Sequence, residues 1–319
     1  MNPELSAEAA EFGRQARRAL GAAGGDLLVQ RAETEPGRRE SLVAPVLGEL
    51  GAWDLDPRGS GAELEAAAAL CRSAGYWAVP YPVAERLGRP ADPAGVDGLL
   101  VVADPVPAAA VAHLDLRWAA VTLDGRRSLA VARPPDEPPR MSAFVTRLDL
   151  HAIAGDGERD AALGLVLPCW TLLGMLDRAM ELTQAHVLTR EQFGQRLAAF
   201  QGVQFQLTEA EVERAGVEIL AKYALWSLHA SPASGSSSAL DDALALRLAA
   251  VEAAEVVFRV AHQLHGAIGF CDEAPLSWLS RYSQPLRRLP SGLSATRAAL
   301  TGRIGRRGLK GLFGAEVTR

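Results

Sequence analysis

Residues 189–201 read TREQFGQRLAAFQ and separate two long stretches whose apolar residues recur at helical spacing. The upstream stretch predicts one helix from about Asp160 to Leu188, kinked near its start by Pro168. Downstream, a second helix is expected from about Ala198 to His229 and a third from Leu240 to about His265, joined by the flexible link SPASGSSS (231–238). A turn follows, and a last helix starts near Ser294. Three or four long helices with short links read as an antiparallel bundle. Between the first two helices, Arg190 closes one helix while Phe193 and Gly194 form the turn. Taken alone, this is an ordinary C-cap: glycine ends a helix and a cation complements its dipole.

Working back from the bundle, residues 93–157 change texture: proline is frequent, and short Val-rich runs appear in GLLVVA, RWAAVTL, SLAVA and AFVTRL. Asp124-Gly125 sits between two such runs, and tight hairpins favour such a pair because they need positive φ. This predicts a small β region. Residues 1–92 are helical in pattern. Ser6 opens a run with Ala9, Phe12, Ala16 and Leu20 on one face, closed by GAAGG, and further apolar stripes lie in SLVAPVLGELGAW and GAELEAAAALCRSAGYWA. The expected organisation is a helical segment (1–92), a reduced β segment (93–157) and a helical bundle (158–319). Asp156, Glu158 and Asp160 stand where the β segment hands over to the first bundle helix, which favours an N-terminal charge role.

The 319 residues are 49% hydrophobic, enough for one large core or two to three smaller layers. A formal net charge of −5 offers no electrostatic case for nucleic acid. Arg303, Arg306, Arg307 and Lys310 do cluster, as suits a solvated helix end. Cys71, Cys169 and Cys271 are far apart, odd in number and without a C-x-x-C pair. Neither zinc nor a disulfide framework is supported, and a reduced cytoplasm fits best. The start, MNPELSAEAAEFGRQARRAL, has no apolar signal core, and no uninterrupted apolar run approaches the length that crosses a bilayer.

A second chemical feature is QLHGAIGF, residues 263–270. Gln263 offers an amide, and Gly266 and Gly269 let backbone N–H groups come close to an anion. The plain alternative is a glycine-terminated helix with a buried Phe270. His265, alone near a helix end, reads as a packing residue.

The order Arg–x–x–Phe–Gly, Gln201, the Gln–x–x–Gly turn, Pro275 and Arg281 resembles the acyl-CoA dehydrogenase family. The matching stretches are LLGMLDRAMELTQAHVLTREQFGQRLAAFQGVQFQL and VAHQLHGAIGFCDEAPLSWLSRY. The resemblance is specific over roughly residues 160–305 and architectural before that. It implies a mainly α fold: an N-terminal helical domain, a middle β domain and a C-terminal antiparallel four-helix bundle. It also implies flavoenzyme chemistry. A Glu carboxylate takes the α proton of an acyl-CoA thioester, FAD accepts the β hydride, and an electron-transferring flavoprotein reoxidises it. In the family the two motifs serve the neighbouring subunit's FAD. Arg190 would meet its pyrophosphate and Phe193 its adenine, with Phe200, Gln201, Gln263, Leu264, His265, Gly266, Ala267 and Gly269 completing the contact. Ala267 replaces the second glycine of the family's turn.

The same resemblance exposes gaps. The family's Glu–Gly–Thr segment, which carries the base, aligns with LRRLPSGLSATR, putting Ser291 at the base position and Leu293 at the Thr position. The alternative base position, early in the first bundle helix, falls at about Gly164. An unactivated hydroxyl is a poor proton acceptor. No Thr–Glu–Pro stretch followed by Gly–Ser occurs between residues 93 and 155, so the flavin-ring contacts are missing as well. The half that would serve this chain's own flavin is degraded, and the half facing a neighbour is kept. The expectation is a non-catalytic, shortened subunit of a heteromeric α2β2 dehydrogenase, paired with a full-length subunit carrying the Glu. Such pairs resemble the actinobacterial dehydrogenases of steroid side-chain breakdown, implying a bulky acyl-CoA. A self-sufficient homodimer with an atypical base and a flavin-free scaffold stay open as alternatives.

Overall fold

A computed structural model describes residues 4–134, 142–230 and 238–307. Most of the 231–238 link and Lys310 fall outside the described residues. The N-terminal part holds helices α1 (Ala7–Ala22), α2 (Leu27–Thr34), α3 (Arg39–Glu49), α4 (Gly61–Tyr76) and the short α5 (Val83–Leu87). Ser6 starts α1 as the sequence predicts, its hydroxyl accepting the Ala9 N–H. Ser60 does the same for the Glu63 N–H at α4 and donates back to the Glu63 carboxylate.

Five strands follow: β1 (Gly98–Val101), β2 (Ala108–Ala109), β3 (Trp118–Val121), β4 (Arg127–Ala132) and β5 (Thr146–Ile153), in spatial order β1-β3-β4-β5-β2. β1 runs parallel to β3, and the other pairs are antiparallel. The β3–β4 hairpin turns at Asp124-Gly125 as expected. Only Gly125 takes positive φ (82°), so the loop is wider than a two-residue turn, and Thr122 closes it through the Arg126 backbone.

The bundle is α6 (Glu158–Thr189), α7 (Gln201–Ala230), α8 (Ser238–His265), α9 (Pro275–Arg288) and α10 (Leu293–Arg307), with a small hairpin, β6 (Glu191–Gln192) and β7 (Gln195–Arg196), between α6 and α7. α6 continues through Pro168 and forms the centre of the molecule, with Trp170, Leu172, Leu173 and Leu176 fully enclosed. α4 crosses it on glycines. A Cβ on Gly75 would lie 1.8 Å from the Thr171 carbonyl oxygen, and one on Gly174 1.9 Å from that of Arg72. Beside the crossing, Arg72 of α4, Asp177 of α6, and Arg214, Glu218 and Lys222 of α7 form one ion network. Burial alone would raise the Glu218 pKa, but Arg72, Arg214 and Lys222 bring it down to about 2.

Three expectations are corrected. Where the sequence predicts only a turn after α8, the chain forms α9: Pro275 starts the helix, and Leu276, Leu279 and Tyr282 bury its face. Arg303 is not merely solvated: it pairs with Glu158 at 2.5 Å and with Asp241, tying α10 to the starts of α6 and α8. By length and composition α6 does reach the dimensions of a membrane span, but 72% of its most apolar window is buried inside the protein. Of the acidic residues at the start of α6, Asp156 accepts the Glu158 N–H, while Asp160 pairs with Arg58 at 2.7 Å.

Candidate functional site

At one end of the bundle the chain leaves α6 at Arg190, whose backbone turns extended (ψ 126°). Its N–H donates to the His186 carbonyl and its carbonyl accepts from Leu197, both at 2.9 Å. The β6–β7 hairpin pairs Glu191 with Arg196 and Gln192 with Gln195, leaving Phe193 and Gly194 as a two-residue loop, both at positive φ (54° and 80°). Gly194 therefore serves this hairpin. It is not the helix cap, since α6 already ends at Thr189. Phe193 is 91% exposed, and its ring stands edge-on to Phe200 at 6.3 Å. The Arg190 side chain is exposed and has no ion-pair partner among the described residues.

The second motif lies beside the first. α8 ends at His265, and Gly266 (φ 64°) opens a tight turn to Phe270. The His265 ring stacks on His186, one turn before Arg190, at 4.5 Å, while its Nδ1 faces the Ala261 carbonyl at 2.8 Å. His265 is thus the packing residue expected, and it clamps the two motifs together. Burial, then His265 and Arg190, hold the His186 imidazole below its usual range. Gly269 is needed for close approach: a Cβ there would lie 2.9 Å from that of His265. Gln201, Gln263, Gly266 and Ala267 are exposed at this end, Phe200 is half-buried, and Leu264 is buried. The expectation of a buried Phe270 is wrong. Its ring stacks on His262 at 4.3 Å and stays largely exposed, as do Leu188, Phe205 and Ile268. An exposed cation in one motif and exposed apolar side chains in both suit an anion attached to a flat ring system.

Neither of the two positions to which the resemblance points for a base, Ser291 and Gly164, carries a carboxylate. A Cβ on Gly164 would lie 2.5 Å from Val101 Cγ2 of β1, so the sheet leaves no room there for a carboxylate side chain. Ser291 is tied down: its carbonyl accepts from Arg247 at 2.8 Å, and its hydroxyl lies 3.4 Å from Thr296 Oγ1. Arg247, buried in α8, also donates to the carbonyls of Leu286 and Leu289 at 3.0 and 2.6 Å. Between the sheet, α6 and α9 lie two small cavities, of about 60 and 70 Å³. Small-molecule sites begin at roughly 300 Å³, so neither cavity as it stands holds a flavin ring. Arg39 plugs the far side of the crevice, donating to the carbonyls of Pro80, Ala112 and Ala110 and lying 4.0 Å above the Phe144 ring.

One group escaped the sequence reading. Glu85 of α5 lines both cavities, and Gly164 lines the smaller one with it. Burial raises its carboxyl pKa, against the lowering pulls of its own backbone N–H and then of Arg39. The available signal was a charge between three buried apolar residues, Val83, Ala84 and Leu87. A larger groove of about 620 Å³ lies elsewhere, between α1 and α4. Among the described residues, no three His, Cys, Asp or Glu side chains converge as metal ligands.

Residues 166–300 match the family described as acyl-CoA dehydrogenase, C-terminal domain. The chain is 33% identical over 110 residues to 3-sulfinopropanoyl-CoA desulfinase of Paraburkholderia xenovorans, covering 34% of this chain and 26% of that protein. It is 30% identical over 121 residues to acyl-CoA dehydrogenase FadE28 of Mycobacterium tuberculosis, covering 38% and 34%. The match thus spans between a quarter and about a third of these relatives' length. Solved structures agree over nearly the whole chain. The ChsE4–ChsE5 complex from Mycobacterium tuberculosis superposes with a TM-score of 0.75 at 17% identity, covering 97% of this chain and 100% of that chain. For the Tcur3481–Tcur3483 steroid ACAD the values are 0.73, 20%, 95% and 99%. For butyryl-CoA dehydrogenase from Megasphaera elsdenii they are 0.70, 13%, 96% and 100%. The fold is that of the acyl-CoA dehydrogenases.

Proposed function

We propose that this chain is the non-catalytic subunit of a heteromeric, FAD-dependent acyl-CoA dehydrogenase, completing the FAD site of a full-length partner across the subunit interface. One contrast carries the reading. Arg190 and Phe193 stand exposed and unpaired at the bundle end, while the chain's own crevice is filled by Arg247 and Arg39 and shut at Gly164 by Val101. Arg190 offers a charge-assisted pair to the pyrophosphate, Phe193 an apolar face to the adenine, and Gln201 and Gln263 their amides. Gly266, Ala267 and Gly269 supply backbone N–H groups. When bound, FAD supplies the hydride acceptor for α,β-desaturation. The partner's Glu supplies the base that Ser291 and Gly164 do not.

Residues 158–319 are the FAD-contacting and oligomerising part in this reading, and the assembly is α2β2. Two of the similar structures are named as pairs, one of them a steroid ACAD, which supports a paired assembly and a bulky acyl-CoA as substrate. An electron-transferring flavoprotein is the proposed acceptor. Co-expression with a full-length, Glu-bearing partner tests the reading: purified complex should carry one FAD per two chains. Stoichiometric FAD on this chain expressed alone would overturn it.

A further inference from the structure

The smaller cavity of the crevice has a cation on its wall with one donor unused. About 60 Å³ of space lies among Glu85 of α5, Val101 of β1, Pro168 of α6, Arg247 of α8 and Leu286 of α9. Arg247 is 3% exposed. Its Nη1 donates to the Leu286 carbonyl and its Nη2 to those of Leu289 and Ser291, but its Nε, buried as well, meets no acceptor. Carbonyl oxygens bring dipoles and no charge, so the guanidinium stays without a carboxylate partner among the described residues. A buried donor without an acceptor and a buried cation without an anion are both costly. Water would answer the first need only.

A water takes roughly 10–15 Å³ of such space, so a cavity of about 60 Å³ admits a ligand of several heavy atoms. Val101, Pro168 and Leu286 give it an apolar wall, and Glu85 is the other ionisable group on the lining. Burial favours the protonated form of that carboxyl, which donates a hydrogen bond where a carboxylate would repel an anion. A halide would use the Nε–H alone. A small carboxylate would take the Nε–H on one oxygen and the Glu85 O–H on the other, with its alkyl end against the proline and leucine. We infer that this cavity binds a short-chain monocarboxylate, formate to propionate in size, with the Arg247 Nε–H as its charged donor. Binding then requires Glu85 to hold its proton. The other titratable groups nearby keep their charge between pH 6 and pH 8: burial pushes the Cys71 and Cys169 thiols and the Tyr81 and Tyr282 hydroxyls up, and lowers Arg39 only to about 10.

This site is independent of FAD and is tested without it. Carbon-13 formate, followed by NMR with the full chain, should show saturable line broadening that acetate displaces and chloride at equal ionic strength does not. Its affinity should fall from pH 6 to pH 8, by up to about tenfold for each pH unit above the carboxyl's pKa. Glu85→Gln keeps a hydrogen-bond donor without the charge, so its affinity should be the same at both pH values. Arg247→Met should abolish the broadening in protein that still melts cooperatively. Displacement by chloride as effective as by acetate would mark an adventitious ion only and overturn the inference. No broadening at all would overturn it too, as would a pH dependence kept in Glu85→Gln; that variant carries the test if Arg247→Met fails to fold.

Discussion

Arg247 donates a hydrogen bond to the Ser291 carbonyl oxygen at 2.8 Å, so the loop ahead of α10 is fastened to α8 by a buried cation. No carboxylate balances that charge among the described residues; three carbonyls do, those of Leu286, Leu289 and Ser291. Arg247→Met keeps the bulk and strips all three of their donor. Leaving buried acceptors unmade should cost about 3 kcal/mol, read as a lower denaturation midpoint in urea. The variant should gain no FAD, because Arg39 and Val101 still close the crevice.

Glu85 gives a pH signature. Burial raises its pKa above the ordinary 4.5, so the folded state prefers the protonated form. Below pH 4.5 the carboxyl is neutral in both states and adds no penalty. As pH rises, the unfolded chain ionises freely while the folded one resists, so stability falls. Glu85→Gln removes that loss. The variant should match the parent at pH 4 and be the more stable at pH 8, by urea titration at both values. The same substitution tests the self-sufficient alternative. Turnover of an acyl-CoA by this chain alone, lost in Glu85→Gln, would make Glu85 the base and refute the proposed function.

Both arginine and glutamate show where sequence reading stops. Helical periodicity finds α6, α7 and α8 to within a few residues, because long apolar stripes outweigh local noise. The family motif singles out Arg190 and Phe193, and the structure leaves both side chains exposed. Arg247 sits in ALRLAAV and reads as a surface charge, since the carbonyls that satisfy it lie 39 to 44 residues later. Glu85 becomes visible only when the sheet and α9 close over it. α9 carries its own signals, a first-turn Pro275 and an amphipathic face, which a turn placed after α8 passes over.

The α4–α6 crossing should be intolerant of a single methyl. Gly174→Ala would put a Cβ 1.9 Å from the Arg72 carbonyl oxygen, and Gly75→Ala one 1.8 Å from that of Thr171. Backbone must move in either case, which should cost about 3 kcal/mol or more. The double variant should lose less than the sum of the two, because one separation of the helices relieves both clashes. Thermal melts of the three proteins check this.

Arg190 makes the opposite forecast. Its side chain is exposed and has no ion-pair partner among the described residues, so Arg190→Ala should leave the melting temperature of this chain unchanged. In the co-expressed complex the same change should weaken FAD retention by more than tenfold, the loss of a charge-assisted contact of about 1.5–3 kcal/mol. Arg190→Lys should recover only part, since an ammonium keeps the charge but not the planar fork. Unchanged FAD retention in Arg190→Ala would favour the flavin-free scaffold.

Phe193 should separate stability from binding by sign. An aromatic residue at φ 54° is strained, by about 1–2 kcal/mol relative to residues that accept the left-handed region. The ring is 91% exposed and stands edge-on to Phe200, so folding of this chain gains little from keeping it there. Phe193→Asn would create Asn-Gly, the pair best suited to a two-residue hairpin loop with both φ positive. It should raise the stability of this chain by up to about 1 kcal/mol and at the same time weaken FAD retention by the complex, because the apolar face is gone. Backbone strain held at an exposed aromatic is expected where the ring has a ligand to meet. A variant that is more stable and binds FAD as well as the parent would leave the strain without a function and remove Phe193 from the site.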